Sequence, residues 1–99
     1  MIDLSQLTGF EWDAGNREKN WRKHGVSNGE CEEVFFNLPL ILQGDPLHSG
    51  SEPRWLVLGQ TNAGRYLIIA FTNRQDKIRV ISALDMSEKE RNLYEQTNS

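Results

Sequence analysis

The feature that most constrains this chain is a set of three strand-like segments, Trp55–Leu58, Tyr66–Phe71 and Lys77–Leu84, divided only by short polar breaks. The breaks, Thr61-Asn62-Ala63-Gly64 and Asn73–Asp76, hold the Asn, Gly and Asp residues that tight turns favour. Breaks this short leave no room for a crossover, so the segments must pair as antiparallel neighbours. The uninterrupted apolar run Tyr66–Phe71 marks the buried central strand. Leu40-Ile41-Leu42 reads as one more strand, set off by a polar loop from Gly44 to Pro53. The expectation is a three- to four-stranded antiparallel meander.

The helical signals lie outside this block. Phe10-Glu11-Trp12 is a brief strand or an anchor for the first helix. Asp13 is placed to cap a helix running to about His24, where Gly25 can take the left-handed conformation that stops it. Ser27 and Glu30 form a capping box for a second helix, Asn28 to about Asn37, whose Cys31, Val34 and Phe35 make one apolar stripe. Ser87 and Glu90 repeat the box before a short C-terminal helix of about two turns, docked by Leu93, with Thr97-Asn98-Ser99 frayed. Two N-terminal helices, a meander and a C-terminal helix define an α+β fold. Ninety-nine residues with 37% hydrophobic side chains support one domain, residues 1–99.

Several classes are excluded. The single Cys31 allows neither an internal disulfide nor a multi-cysteine zinc site, and its acidic neighbours disfavour the thiolate, so a buried, inert thiol is expected. His24 and His48 are too few and too isolated to hold a metal. No apolar run approaches the roughly 20 residues of a membrane span. Met1-Ile2-Asp3-Leu4 has no secretory character, and a cytosolic protein is expected.

The net charge of −3 conceals a strong asymmetry. Met1–Glu52 carries four basic and nine acidic residues, whereas Pro53–Leu84 carries five basic residues (Arg54, Arg65, Arg74, Lys77, Arg79) and a single acid, Asp76. A local basic patch can hold phosphates on an acidic chain. A solvated sheet edge guarded by cations fits the same residues. Alternation along the last strand puts Arg79, Ile81 and Ala83 on one face, and Arg79 belongs on the open one because burying an unpaired guanidinium is costly. Arg54, Arg74 and Arg79 can thus gather over one face.

Such a cluster suits RNA cleavage, in which the 2′-hydroxyl attacks the adjacent phosphorus and fixed guanidinium groups stabilise the charge that builds. His24, with Lys23 beside it, is the first candidate for proton transfer, and Glu52 and His48 are others. Each has a plainer reading. Lys23 and His24 suit a helix C-terminus, Thr72 suits any strand, and Trp12 and Trp55 serve as core anchors as readily as stacking platforms. Residue chemistry alone leaves enzyme and binding module both open.

The order of local signatures resembles the BrnT family of toxins. The matching pieces are Phe10-Glu11-Trp12-Asp13, Asn20, Lys23-His24-Gly25-Val26-Ser27, Glu33-Val34-Phe35, Asp45-Pro46 with His48, and Glu52-Pro53-Arg54. Phe71-Thr72-Asn73-Arg74, Ile78-Arg79-Val80-Ile81-Ser82-Ala83 and Glu90-Arg91 with Tyr94 follow. The resemblance implies a RelE-like fold and a metal-independent, cofactor-free endoribonuclease that inhibits translation. It implies catalytic residues Lys23, His24, Arg54, Thr72, Arg74 and Arg79; the RNA contacts expected from the basic stretch and its aromatic neighbour are Arg54, Trp55, Arg74, Lys77 and Arg79. It also implies a BrnA-like ribbon–helix–helix antitoxin in a toxin2–antitoxin2 complex that meets operator DNA through the antitoxin, and no membrane partner. A catalytically degenerate relative that only holds its antitoxin is the alternative. Asn73 and Leu84 depart from the Glu and Arg that the family often has there, and Lys89 and Arg91 supply fewer cations to the last helix than is usual.

Overall fold

The computed structural model describes residues 4–45, 50 and 52–98. Pro46 and His48, both singled out in the sequence, lie outside the described residues. A single 3-10 turn, Leu4–Gln6, leads to β1 (Gly9–Phe10), α1 (Lys19–His24), α2 (Asn28–Phe36), β2 (Ile41–Gly44), β3 (Trp55–Gln60), β4 (Tyr66–Arg74), β5 (Lys77–Asp85) and α3 (Glu88–Asn98). Strands β2 to β5 form the expected antiparallel meander. The sheet has a fifth strand, because β1 pairs in parallel with the outer edge of β5, in the order β1-β5-β4-β3-β2. The β4–β5 hairpin closes on Gln75 and Asp76 alone, both at positive φ (51° and 66°), as a two-residue turn of right-handed twist requires.

The helices depart from expectation at their ends. Asp13 does not cap an α-helix. Its carboxylate accepts from the Gly15 N–H at 2.8 Å and its carbonyl accepts from Asn16 and Arg17, closing a single turn. The helix proper starts six residues later, at Lys19, and stops as expected at Gly25, with φ 64°. The preceding turn has another task. β1 is too short to cover the edge of β5, and side chains complete it. Asn16 Nδ2 donates to the Val80 carbonyl (3.1 Å), Lys19 Nζ to the Ile81 carbonyl (3.2 Å), and the Ala83 N–H donates to Asn20 Oδ1 (3.0 Å). Asn16 and Asn20 are buried by this contact, and backbone groups that would invite a foreign strand are satisfied internally.

Helix α2 carries the predicted capping box, with Ser27 and Glu30 each accepting from the other's N–H. It lays Cys31 and Val34 on the sheet face formed by Val57, Leu67, Ile69, Phe71, Ile78, Val80 and Ala83. Phe35 bridges Phe10 and Phe71 edge to face, at centroid distances of 5.5 and 5.1 Å. Gly59 permits the close approach of α2 to β3, since a Cβ there would stand 2.9 Å from Val34 Cγ1.

Simple alternation fails on β5. Ala70 faces Ser82 but Phe71 faces Val80, so Ile81 is an extra residue that shifts the side-chain phase. Ala83, expected beside Arg79 on the open face, turns into the core opposite Ile69. Helix α3, eleven residues long, takes in Thr97 and Asn98 of the segment expected to be frayed, and Ser99 lies outside the described residues. Tyr94 docks it rather than Leu93, which is half exposed. The Tyr94 hydroxyl donates to the Pro39 carbonyl at 2.6 Å, its ring lies 5.6 Å from that of Tyr66, and the Arg91 guanidinium sits 4.4 Å over Tyr66. Arg91 and Tyr94, three residues apart, share the helix face that meets the sheet. No described helix is long and apolar enough to cross a membrane.

Candidate active site

Helix α3 covers the second sheet face only at its Tyr66 end. At the other end Thr72 stands directly opposite Arg79, and Arg74 opposite Lys77, with all four side chains on that face. Continuing the Trp55–Phe71 register by one residue brings Arg54 level with Thr72. Arg54, Thr72 and Arg79 therefore stand abreast on β3, β4 and β5, with Arg74 one side-chain step beyond. Strands lie about 4.8 Å apart, so Arg54 and Arg79 start roughly 10 Å from one another. Thr72 is buried, its hydroxyl donating 2.7 Å to the Pro53 carbonyl, which ties the end of the long loop to the sheet.

The arginines meet carboxylates. Arg79 Nη1 lies 2.9 Å from Glu11 Oε1 and 2.7 Å from Asp13 Oδ2. Arg74 holds both oxygens of Glu52 at 2.8 Å and reaches the same Glu11 Oε1 at 3.7 Å. Arg54 Nε lies 3.6 Å from Asp45. Asp13 is held below the usual carboxylate range by Arg79 and then by the Gly15 N–H, and Glu52 by Arg74. Arg79 and Arg74 are raised in turn, chiefly by Asp13 and by Glu52. The basic stretch of sequence is thus not a bare basic patch in space: acids from the first half of the chain fold onto it.

Of the other predicted residues, Lys77 alone shares this face. Trp55 packs against the core on the helix-covered face. Lys77 is exposed at the hairpin, beside Arg74. Lys23 and His24 are exposed at the end of α1. The His24 carbonyl accepts from Arg65, and His24 helps lower Asp85, six residues along β5 from Arg79, roughly 20 Å in extended chain. His24 is therefore not brought to the arginine cluster. Cys31 is buried, and that burial, with Glu30 and Glu32 nearby, pushes its thiol up to about 12, in keeping with an inert group.

Glu11 and Asp13 are the site residues that sequence reasoning missed. The Phe10-Glu11-Trp12-Asp13 segment stands out in the sequence, but helix-capping chemistry is sufficient reason for Asp13. Nothing local says that Glu11 meets an arginine 68 residues later.

The structure defines a small α+β domain with arginines and carboxylates converging on the uncovered end of its sheet. The family model described as "Ribonuclease toxin, BrnT, of type II toxin-antitoxin system" matches residues 12–90, and the chain belongs to that family. The crystal structure of the ribonuclease toxin BrnT of Brucella abortus superposes with a TM-score of 0.56, covering 81% of this chain and 97% of that one at 20% identity, which shows a shared fold. No curated protein matches the chain. A toxin of a type II system has a cognate antitoxin as its partner.

Proposed function

We propose that this chain cleaves RNA at the Arg74–Arg79 cluster, without a metal, by attack of the substrate's own 2′-hydroxyl on the adjacent phosphorus. The carrying observation is that both guanidinium groups reach one anionic oxygen, Glu11 Oε1, at 3.7 and 2.9 Å. That oxygen marks a seat for negative charge flanked by two fixed cations. A phosphate oxygen placed there gains most when its charge grows in the transition state. The Glu52 and Asp13 side chains are 42% and 51% exposed, so either carboxylate can turn out to water when a phosphate takes its place. Glu11, displaced by no more than its own side chain, is the acceptor for the 2′ proton. Thr72 fixes the loop that carries Glu52 and Arg54. The released 5′ oxygen takes a proton from solvent or from a neighbouring cation. A BrnA-like ribbon–helix–helix antitoxin, joined in a toxin2–antitoxin2 complex, neutralises the activity.

The test is induced expression of wild type, Arg79→Ala and Glu11→Gln, with growth and RNA integrity followed, and cleavage by purified protein repeated in EDTA. Arrest and cleavage by wild type alone, unaffected by EDTA, are the expected result. Equal activity of Arg79→Ala would move the chemistry elsewhere, and loss of cleavage in EDTA would require a metal. The carboxylates on all three arginines favour one second reading, a degenerate toxin that binds its antitoxin without cutting RNA. Antitoxin binding by a wild-type chain that neither arrests growth nor cuts RNA would select it.

A further inference from the structure

Beside the arginine cluster, α1 holds a concentration of positive charge that the cleavage chemistry does not use. Lys19, Arg22 and Lys23, spaced three and four residues apart, share one face of the helix, while Asn20 turns inward to the Ala83 N–H. With Ala14 and Gly15 they line a hollow of about 330 Å³. Gly15 is the wall between this hollow and Arg79: a Cβ on it would stand 3.1 Å from Arg79 Nη2. The two sites are therefore contiguous.

Their charge balance differs. Around Arg74 and Arg79 the carboxylates of Glu11, Asp13 and Glu52 offset the cations. At the hollow Asp13 Oδ1 also stands against Gly15 but is already held by Arg79, and the remaining acid is Glu18, 3.7 Å from Arg22, with both side chains about 70% exposed, so that pair is weak. Lys23 is exposed and makes no ion pair among the described residues. Lys19 is steadied by its bond to the Ile81 carbonyl.

We propose that this hollow is a phosphate subsite, in which Arg22 and Lys23, with Lys19 behind them, hold the RNA backbone next to the phosphate that meets Arg79. The inference rests on the reading of Arg74 and Arg79 as the cleavage site, and it makes Lys23 a strand-holding residue. Binding energy comes from α1, where charge is in excess, and transition-state stabilisation comes from the sheet, where charge is nearly balanced. Phosphate contacts of this kind position a strand without reading its sequence.

The experiment is single-turnover cleavage of a single-stranded RNA by the full chain, over a range of RNA and salt concentrations. Arg22→Ala/Lys23→Ala raises the half-saturating RNA concentration about tenfold and lessens the slope of log affinity against log salt by about 0.7 for each phosphate no longer neutralised. The rate at saturating RNA is unchanged in Arg22→Ala alone, and Arg22→Lys/Lys23→Arg restores the affinity lost in the double variant. Unchanged half-saturation and slope would overturn the subsite, as would a lower saturated rate, which would put Lys23 in the chemistry. Weakened antitoxin binding with unchanged RNA affinity would assign the hollow to the protein partner and overturn it too. Arg79→Ala separates the two ideas. If it leaves the saturated rate intact while the α1 variant loses affinity, the cleavage-site reading fails and the subsite stands.

Discussion

Two ends of the same sheet each carry an arginine among carboxylates, and they are built differently. At the Tyr66 end, Arg65 donates to the backbone carbonyls of His24 and Gly25 as well as to Glu30 and Asp85. It ties together the end of α1, the start of α2 and the end of β5. At the hairpin end, Arg74 and Arg79 meet side-chain carboxylates that can swing away. A carbonyl held in the backbone cannot follow another ligand, whereas an exposed carboxylate can give up its place. The kind of acceptor, more than the number of ion pairs, separates an arginine locked into the fold from one whose partners can be replaced.

The sharpest way to break this comparison is to remove one arginine from each end. Arg79→Ala should lower the cleavage rate about a hundred- to a thousandfold while thermal unfolding stays close to wild type. Arg65→Ala should do the reverse. It should cost about 1–3 kcal/mol of stability in a denaturant titration, because two carbonyls and two carboxylates lose a donor, with cleavage by the folded fraction retained. A large loss of cleavage in Arg65→Ala without unfolding would erase the distinction.

Acid acts on both ends, because Asp13 and Glu52 are lowered at the hairpin as Asp85 and Glu30 are at the Tyr66 end, and Arg65→Ala isolates the share of the Tyr66 end. Asp85 is lowered first by Arg65, and Glu30 by the Ser27 N–H and then by Arg65. Depressed carboxylates contribute stability above their unfolded values, near pH 4, and that stability is lost as pH falls through the folded values. The melting temperature of wild type should therefore drop as pH falls below about 4, and Arg65→Ala should flatten the fall. A profile unchanged in Arg65→Ala would locate the acid-sensitive groups elsewhere. The smallest effect is expected from Glu52→Gln, which frees Arg74 and should lower the half-saturating RNA concentration about two- to threefold, read from the same cleavage curves. Weaker binding in that variant would mean that Glu52 holds substrate rather than competing with it.

The family match sets the activity within a ribonuclease toxin class, and the arrangement of the site explains why an acidic chain can serve there. Folding leaves positive charge in excess along α1, and at the hairpin it sets half-exposed acids against the arginines.

Much of the architecture could be read locally, because its causes are local. Short turns forced the meander, Ser27 with Glu30 and Ser87 with Glu90 started helices, and Gly25 ended one. The gathering of Arg54, Arg74 and Arg79 over one face was legible from alternation and the short turns. Three features came only with the tertiary structure. The extra residue at Ile81 reversed the phase of β5 beyond Val80, Asp13 exchanged a helix cap for Arg79, and Glu11 closed the arginine pair. Each depends on which distant segments meet, and an ion pair spanning 68 residues leaves no trace in the spacing of either partner's neighbours.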